Sequence, residues 1–172
     1  MIASAAEFAD YFDGVRRRTV GFFRMIPADR ADWAPKAGEY TCGDVVRHVA
    51  ACERMFVGAV VDGQWRYPGH DRALAPTLEA ALADLDAGHA ACDARLRALD
   101  AGALATTRPA LEPDARPVRA WRMLLAMVEH EVHHRSPLAS YLTWMGLEAP
   151  DVFGLGVEDV ERLTADEAGR ST

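Results

Sequence analysis

The segment His130-Glu131-Val132-His133-His134-Arg135 sets His130 and His134 four residues apart within a stretch of helical periodicity. Four residues is just over one helical turn, so both imidazoles leave the same face. Two neutral imidazoles so placed can share one divalent cation. A third nitrogen and one open position then give the coordination that catalysis at a metal requires. His48, on the apolar stripe of an earlier helix, is the first choice for that third ligand. His89 also lies on an apolar seam and is the alternative. Three imidazoles suit Zn²⁺ first, with Ni²⁺, Fe²⁺ and Co²⁺ compatible with the same donors. The HExxH arrangement of zinc proteases is excluded, because Glu131 follows the first histidine directly.

On a helical wheel, Ala120, Met123, Met127, His130, Glu131, His134, Leu138, Tyr141 and Met145 fall on one arc, so both histidines are expected to face inward. A single buried histidine is ordinarily a core group satisfied by a hydrogen bond. Two neighbouring imidazoles in an apolar stripe, with neither metal nor carboxylate, are costly to bury. That difference favours a metal site. Glu131, on the edge of the arc, is a candidate base or an acceptor for the N–H of a ligating histidine, against the alternative of a solvated glutamate. Arg135 is a candidate partner for a substrate carboxylate, against the alternative of a flank salt bridge. His133 and Glu129 are expected at the surface, and His70 in its Pro-Gly-His-Asp loop to be solvated. Cys52 and Cys92 read as small inert core residues. Cys42, at a helix N-terminus where the dipole lowers a thiol pKa, is the thiol expected to be reactive.

Four amphipathic segments must position these groups. Helices are expected over 4–26, from Thr41 to about 62, from Thr77 to about 99, and over 118–145, with no convincing strand run. Ser4 with Glu7 reads as a capping box, Thr41 as an N-cap with Asp44 in the first turn, and Gly146 as the residue closing the last helix. The expected fold is therefore all-α, a four-helix bundle with long connecting loops in a single domain of residues 1–172. Its core spans about 4–155 and its tail 156–172. The tail carries a short helix near Glu158–Leu163 and a frayed end from residue 165. The links after the second and third helices are both candidates for crossovers.

The 172 residues carry a net charge of −7, which argues against gripping a nucleic-acid backbone. No apolar run reaches the ~20 residues of a membrane span. Three dispersed cysteines, and an N-terminus without the pattern of a signal peptide, fit a reducing cytoplasm. A second apolar strip on the last helix, Trp121, Leu125, Val128, Val132 and Ala139, is expected to serve a homodimer.

The order of motifs resembles the DinB-like superfamily of four-helix-bundle metalloproteins. Asp32-Trp33-Ala34-Pro35 comes first, then Tyr40-Thr41 opening the helix of His48-Val49-Ala50-Ala51-Cys52-Glu53. The HEVHHR segment follows, then Tyr141-Leu142 and Met145-Gly146. The resemblance implies that His48, His130 and His134 are the metal triad. It implies a thiol S-transferase or isomerase that uses bacillithiol, mycothiol or glutathione, in a family that also carries a damage-inducible label. Trp65, Tyr67 and Arg135 are then candidates to hold the charges of the thiol cofactor. A metal-dependent hydrolase, and a non-catalytic stress-response module whose metal is closed off by a fourth ligand such as His89 or Glu131, are the alternatives. The chain departs from the family at Ser136-Pro137, where Gly-Gln is usual, and Pro137 is expected to kink the last helix just after the second ligand.

Overall fold

The structure, a computed structural model, describes residues 2–112 and 114–170, with side chains described as far as residue 165. It has five α-helices: α1 (Ala5–Phe23), α2 (Cys42–Asp62), α3 (Leu78–Arg97), α4 (Ala120–Trp144) and α5 (Val157–Arg170). The first four form the bundle. α2 packs on α3 and α4, and α1 packs on the same two, so α1 and α2 face each other across a diagonal, as do α3 and α4. The α2–α3 link therefore joins neighbours, whereas the α3–α4 link joins diagonal partners. The latter holds a two-residue antiparallel ladder, β1 (Thr107–Arg108) with β2 (Val118–Arg119), in a region the sequence reads as irregular. Among the described residues no helix is long and apolar enough to cross a membrane.

Local chemistry sets the helix ends. The Ser4 and Thr77 hydroxyls accept from the N–H groups of Glu7 and Ala80, both at 3.1 Å. Glu7 reaches back to the N–H of Ala3 rather than closing a box on Ser4. Thr41 and Asp44 do close a reciprocal box, which fixes the start of α2 six residues before His48. α1 stops at Phe23, a turn short of Pro27, and α4 starts at Ala120 because Val118 and Arg119 are taken by the ladder. Gly146, with φ 78°, closes α4 in a Schellman turn in which the Leu147 N–H donates to the Leu142 carbonyl at 2.9 Å. α4 is not ended by Pro137 and runs on to Trp144. α5 includes residues 165–170, where fraying is expected from the sequence, while residues 171–172 lie outside the described residues.

Two apolar clusters fill the bundle. One gathers Phe8, Phe12, Val57, Leu96, Leu124 and Met127, and the other Phe23, Val46, Val49, Leu85, Leu138 and Leu142. Charged side chains from all four helices meet in the interior. Arg16 of α1 donates from Nη2 to Glu53 of α2 at 2.7 Å and lies 2.9 Å from Glu131 of α4. His89 of α3 holds the other Glu53 oxygen at 2.7 Å and Asp13 at 3.0 Å. Arg16, Glu53 and Glu131 are each no more than 3 % exposed.

Candidate metal centre

His48 sits two turns into α2, and His130 and His134 occupy adjacent turns of the facing α4. All three are half-buried. Their rings converge: His48 to His134 and His130 to His134 are each 4.4 Å between centroids, and His48 to His130 is 5.0 Å. The Nε2 atoms of His48 and His130 are 3.1 Å apart. Cys52, one turn beyond His48, brings its Sγ to 3.5 Å from the same His48 Nε2. The donor atoms of His48, Cys52 and His130 all lie within 4.8 Å of one another.

Electrostatics keep this cluster neutral. Burial, with the neighbouring His130 and His70 rings, pulls His48 down to about 4. Burial and the surrounding imidazoles pull His134 down to about 3, and burial also lowers His130. The cluster thus presents neutral nitrogens near pH 7, the form a metal needs. Burial pushes the Cys52 thiol up to about 12, so without a cation it stays protonated. Converging imidazole nitrogens beside a thiol, with no carboxylate to compensate them, form a donor set suited to Zn²⁺ or a related divalent ion.

Aromatic groups enclose the cluster. The Tyr40 ring lies 5.2 Å from His48 and stacks on His134 at 6.1 Å. Phe56 packs on His130 at 5.9 Å and on Trp65 at 5.6 Å. The Tyr67 hydroxyl meets His48 Nδ1 at 2.8 Å and also hydrogen-bonds His70 Nδ1. Beside His134 opens a cleft of about 320 Å³ lined by Gly38, Glu39, Tyr40, His133, Pro137 and Tyr141 among others.

The sequence model of the DinB superfamily matches residues 11–137, most of the chain. The chain belongs to the DinB superfamily. Among solved structures it is similar to a DinB-like protein from Bacillus cereus, with a TM-score of 0.71, 16 % identity, and coverage of 88 % of this chain and 99 % of that one. It is also similar to a DinB-like protein from Bacillus subtilis, with a TM-score of 0.66, 19 % identity, and coverage of 85 % and 97 %. At these identities the likeness speaks for the fold. Among curated proteins none matches.

This DinB-superfamily chain packs the rings of His48, His130 and His134 together, whereas the donor atoms that converge closely enough to share a metal are those of His48, Cys52 and His130, and the other candidates are redistributed. Glu131 and His89 belong to the Arg16 cluster and not to the histidine cluster. Arg135 is buried with its guanidinium 5.9 Å from the Phe22 ring of α1. Trp65 donates to the Pro109 carbonyl at 2.9 Å. Cys42 is fully buried, and burial outweighs the helix dipole, raising its thiol to about 11. The inert reading of Cys52 overlooks its place beside His48, which the four-residue spacing on α2 signals. His70, expected in solvent, is half-buried against Tyr40, Tyr67 and His48. His133 is exposed as expected.

Proposed function

We propose that this DinB-superfamily protein is a metal-dependent thiol S-transferase, with a divalent cation held by His48, His130 and His134 and a low-molecular-weight thiol such as bacillithiol, mycothiol or glutathione as co-substrate. The observation that carries the reading is the convergence of three uncompensated imidazoles beside an aromatic cleft. A bound divalent cation supplies Lewis acidity that favours the thiolate form of an incoming thiol near neutral pH. The chain supplies the rest. Tyr40 and Tyr141 wall the cleft against water, and Glu39 at its rim is placed to meet the ammonium of an amino-acid-derived thiol. His133, on the same wall, is a base able to take the thiol proton. The sulfur forms the new bond to the electrophile, and the leaving group departs with its bonding pair.

A second reading is favoured by Cys52. Cys52 converges with His48 and His130, and with the neighbouring His134 the set would reach four donors, the complement of a closed structural site, which suits a non-catalytic metal-binding module. We also propose a homodimer through the strip of α4. Trp121 and Val132 are 45 % and 39 % exposed, whereas Val128 is buried within its own bundle and leaves the strip. Light scattering on the wild type and on Trp121→Glu tests this, and equal monomer masses would remove it.

Elemental mass spectrometry on untagged protein, wild type beside His48→Ala and His134→Ala, tests the centre. About one equivalent of metal in the wild type, absent from both variants, is the expected result. A screen of the three thiols against electrophilic substrates follows. No metal after Zn²⁺ or Ni²⁺ loading would end the enzyme reading.

A further inference from the structure

The loop between α2 and α3 holds two residues that the proposed metal centre leaves unused, Tyr67 and His70. Gly63, with φ 70°, turns the chain out of α2. Arg47 then ties the returning loop to the helix that bears His48. Buried to 6 % exposure, Arg47 donates from Nε to the His70 carbonyl at 3.2 Å and from Nη1 to the Ala75 carbonyl at 3.1 Å. Asp44 holds the remaining Nη2 at 2.7 Å. Arg72 adds a bond to Asp32 at 2.8 Å, joining the loop to the segment that precedes Tyr40. A loop tied this way presents its side chains at fixed places.

Those places form a chain. His48 Nε2 faces His130 and Cys52, while His48 Nδ1 faces the Tyr67 hydroxyl, which in turn meets His70 Nδ1. A neutral imidazole carries one proton, so the partner at Nδ1 selects which nitrogen offers its lone pair. We propose that Tyr67 is a positioning residue that fixes His48 as its Nδ1–H tautomer, with His70 as the acceptor that orients the Tyr67 hydroxyl. In that arrangement His48 Nδ1–H donates to the Tyr67 oxygen and Tyr67 O–H donates to His70 Nδ1. The Nε2 lone pair is then left for the shared point between the helices. The opposite sense, with Tyr67 O–H donating to His48 Nδ1, puts the proton on His48 Nε2 and blocks that point. Because Tyr67 can serve as donor to only one of its two partners, the tautomer of His70 decides the sense, and a His70 that carries its proton on Nε2 leaves Nδ1 to accept. Orientation of a ligating histidine by its second nitrogen is the usual use of such a partner, and its loss typically weakens metal binding about 10–100-fold.

This inference rests on the metal reading above, and two readouts keep the failures apart. Tyr67 is 43 % exposed, so Tyr67→Phe removes a hydroxyl without emptying the core. The first readout is long-range ¹H–¹⁵N imidazole spectroscopy on metal-free and Zn²⁺-loaded protein. His48 is expected as the Nδ1–H tautomer in the wild type in both states, and as a mixture in metal-free Tyr67→Phe. The second is Zn²⁺ affinity by competition with a chromophoric chelator, expected to fall roughly tenfold or more in Tyr67→Phe. His70→Ala is expected to fall in the same direction by less, and His70→Asn, which keeps an acceptor, to recover part of the loss. An unchanged His48 tautomer with affinity within twofold of wild type would overturn the proposal. A wild type that binds no Zn²⁺ sinks the metal reading, and the metal-free tautomer then decides the role of Tyr67.

Discussion

Two polar clusters share one small bundle, and the chain treats them in opposite ways. The Arg16 cluster is deeply buried, draws side chains from all four helices and pairs its charges. The histidine cluster joins only α2 and α4, stands half-open beside a cleft and has no charge to balance it. The first ties the four helices together through ion pairs, although Arg16 Nε and Nη1 and Glu131 Oε1 stay buried without a hydrogen-bond partner. The second leaves nitrogens facing one another across 3.1 Å and lowers their pKa values by mutual exclusion from water. Neutral imidazoles gathered with no opposite charge beside them are the groups suited to a cationic ligand.

The sharpest way to separate the clusters is to remove their centres. Arg16→Leu leaves Glu131 buried without its cation and Glu53 with His89 alone, and is expected to destabilise the protein by about 3–5 kcal/mol in denaturant melts. Replacing Arg16, Glu53 and Glu131 together by apolar residues of similar volume should recover most of that loss, since an intact apolar layer serves as well as an ion cluster. A single variant within ~1 kcal/mol of wild type would show that the cluster is no keystone.

His134→Ala should behave in reverse. Metal binding is expected to fall by more than the roughly 10–100-fold typical of outer-sphere changes. At pH 5 the metal-free protein should melt no lower than wild type, because the unfolded chain would protonate an imidazole that the folded chain holds neutral, and that imidazole is removed. A metal-free variant that loses several kcal/mol would make His134 a core residue of the Arg16 kind.

Much of this contrast is legible in the sequence, unevenly. The four-residue step from His130 to His134 and the inward stripe of α2 give the histidine cluster, because helical periodicity carries direction. The same step from His48 to Cys52 was equally available but is masked by how often cysteine is only a small apolar filler. Arg16 lies on the stripe of Phe12, Thr19 and Phe23, yet an arginine there reads as a flank residue until its partners on three other helices are known. Tyr67 and His70 sit in a loop of proline and glycine with no period to say where side chains point. Spacing shows which face a residue shares, and only the assembled bundle shows which opposing group it meets.

The clusters also answer oppositely to acid. His48 and His134 titrate in the folded chain at about 4 and 3, below the 6.5 of a free imidazole. Between pH 6.5 and those values the unfolded chain takes up protons that the native state refuses, so stability falls as the pH falls through that window. Above 6.5 this loss is absent. His89 is raised by its bond to Glu53, so its contribution is complete below 6.5 and is lost as the pH rises through its folded value. Denaturant melts of metal-free protein from pH 5 to 8 should show a shallower acid-side slope in His48→Ala and a shallower alkaline-side slope in His89→Phe. Identical slopes in all three proteins would break the comparison.

The smallest expected effect concerns how far the histidine cluster is open. Cys52 stands 3.5 Å from His48 Nε2 with its proton held on by burial, since its thiol is raised to about 12. If it remains a thiol, Co²⁺-loaded wild type and Cys52→Ser should have the same visible spectrum and metal affinities within about tenfold. The fourth position is then free for a substrate sulfur. If Cys52 gives up its proton to a metal, the wild type should show an intense near-ultraviolet thiolate-to-cobalt band that Cys52→Ser lacks. Adding glutathione to that wild type should leave the spectrum unmoved. The first outcome keeps a place where chemistry can occur. The second closes the histidine cluster with its own donors and favours the non-catalytic module.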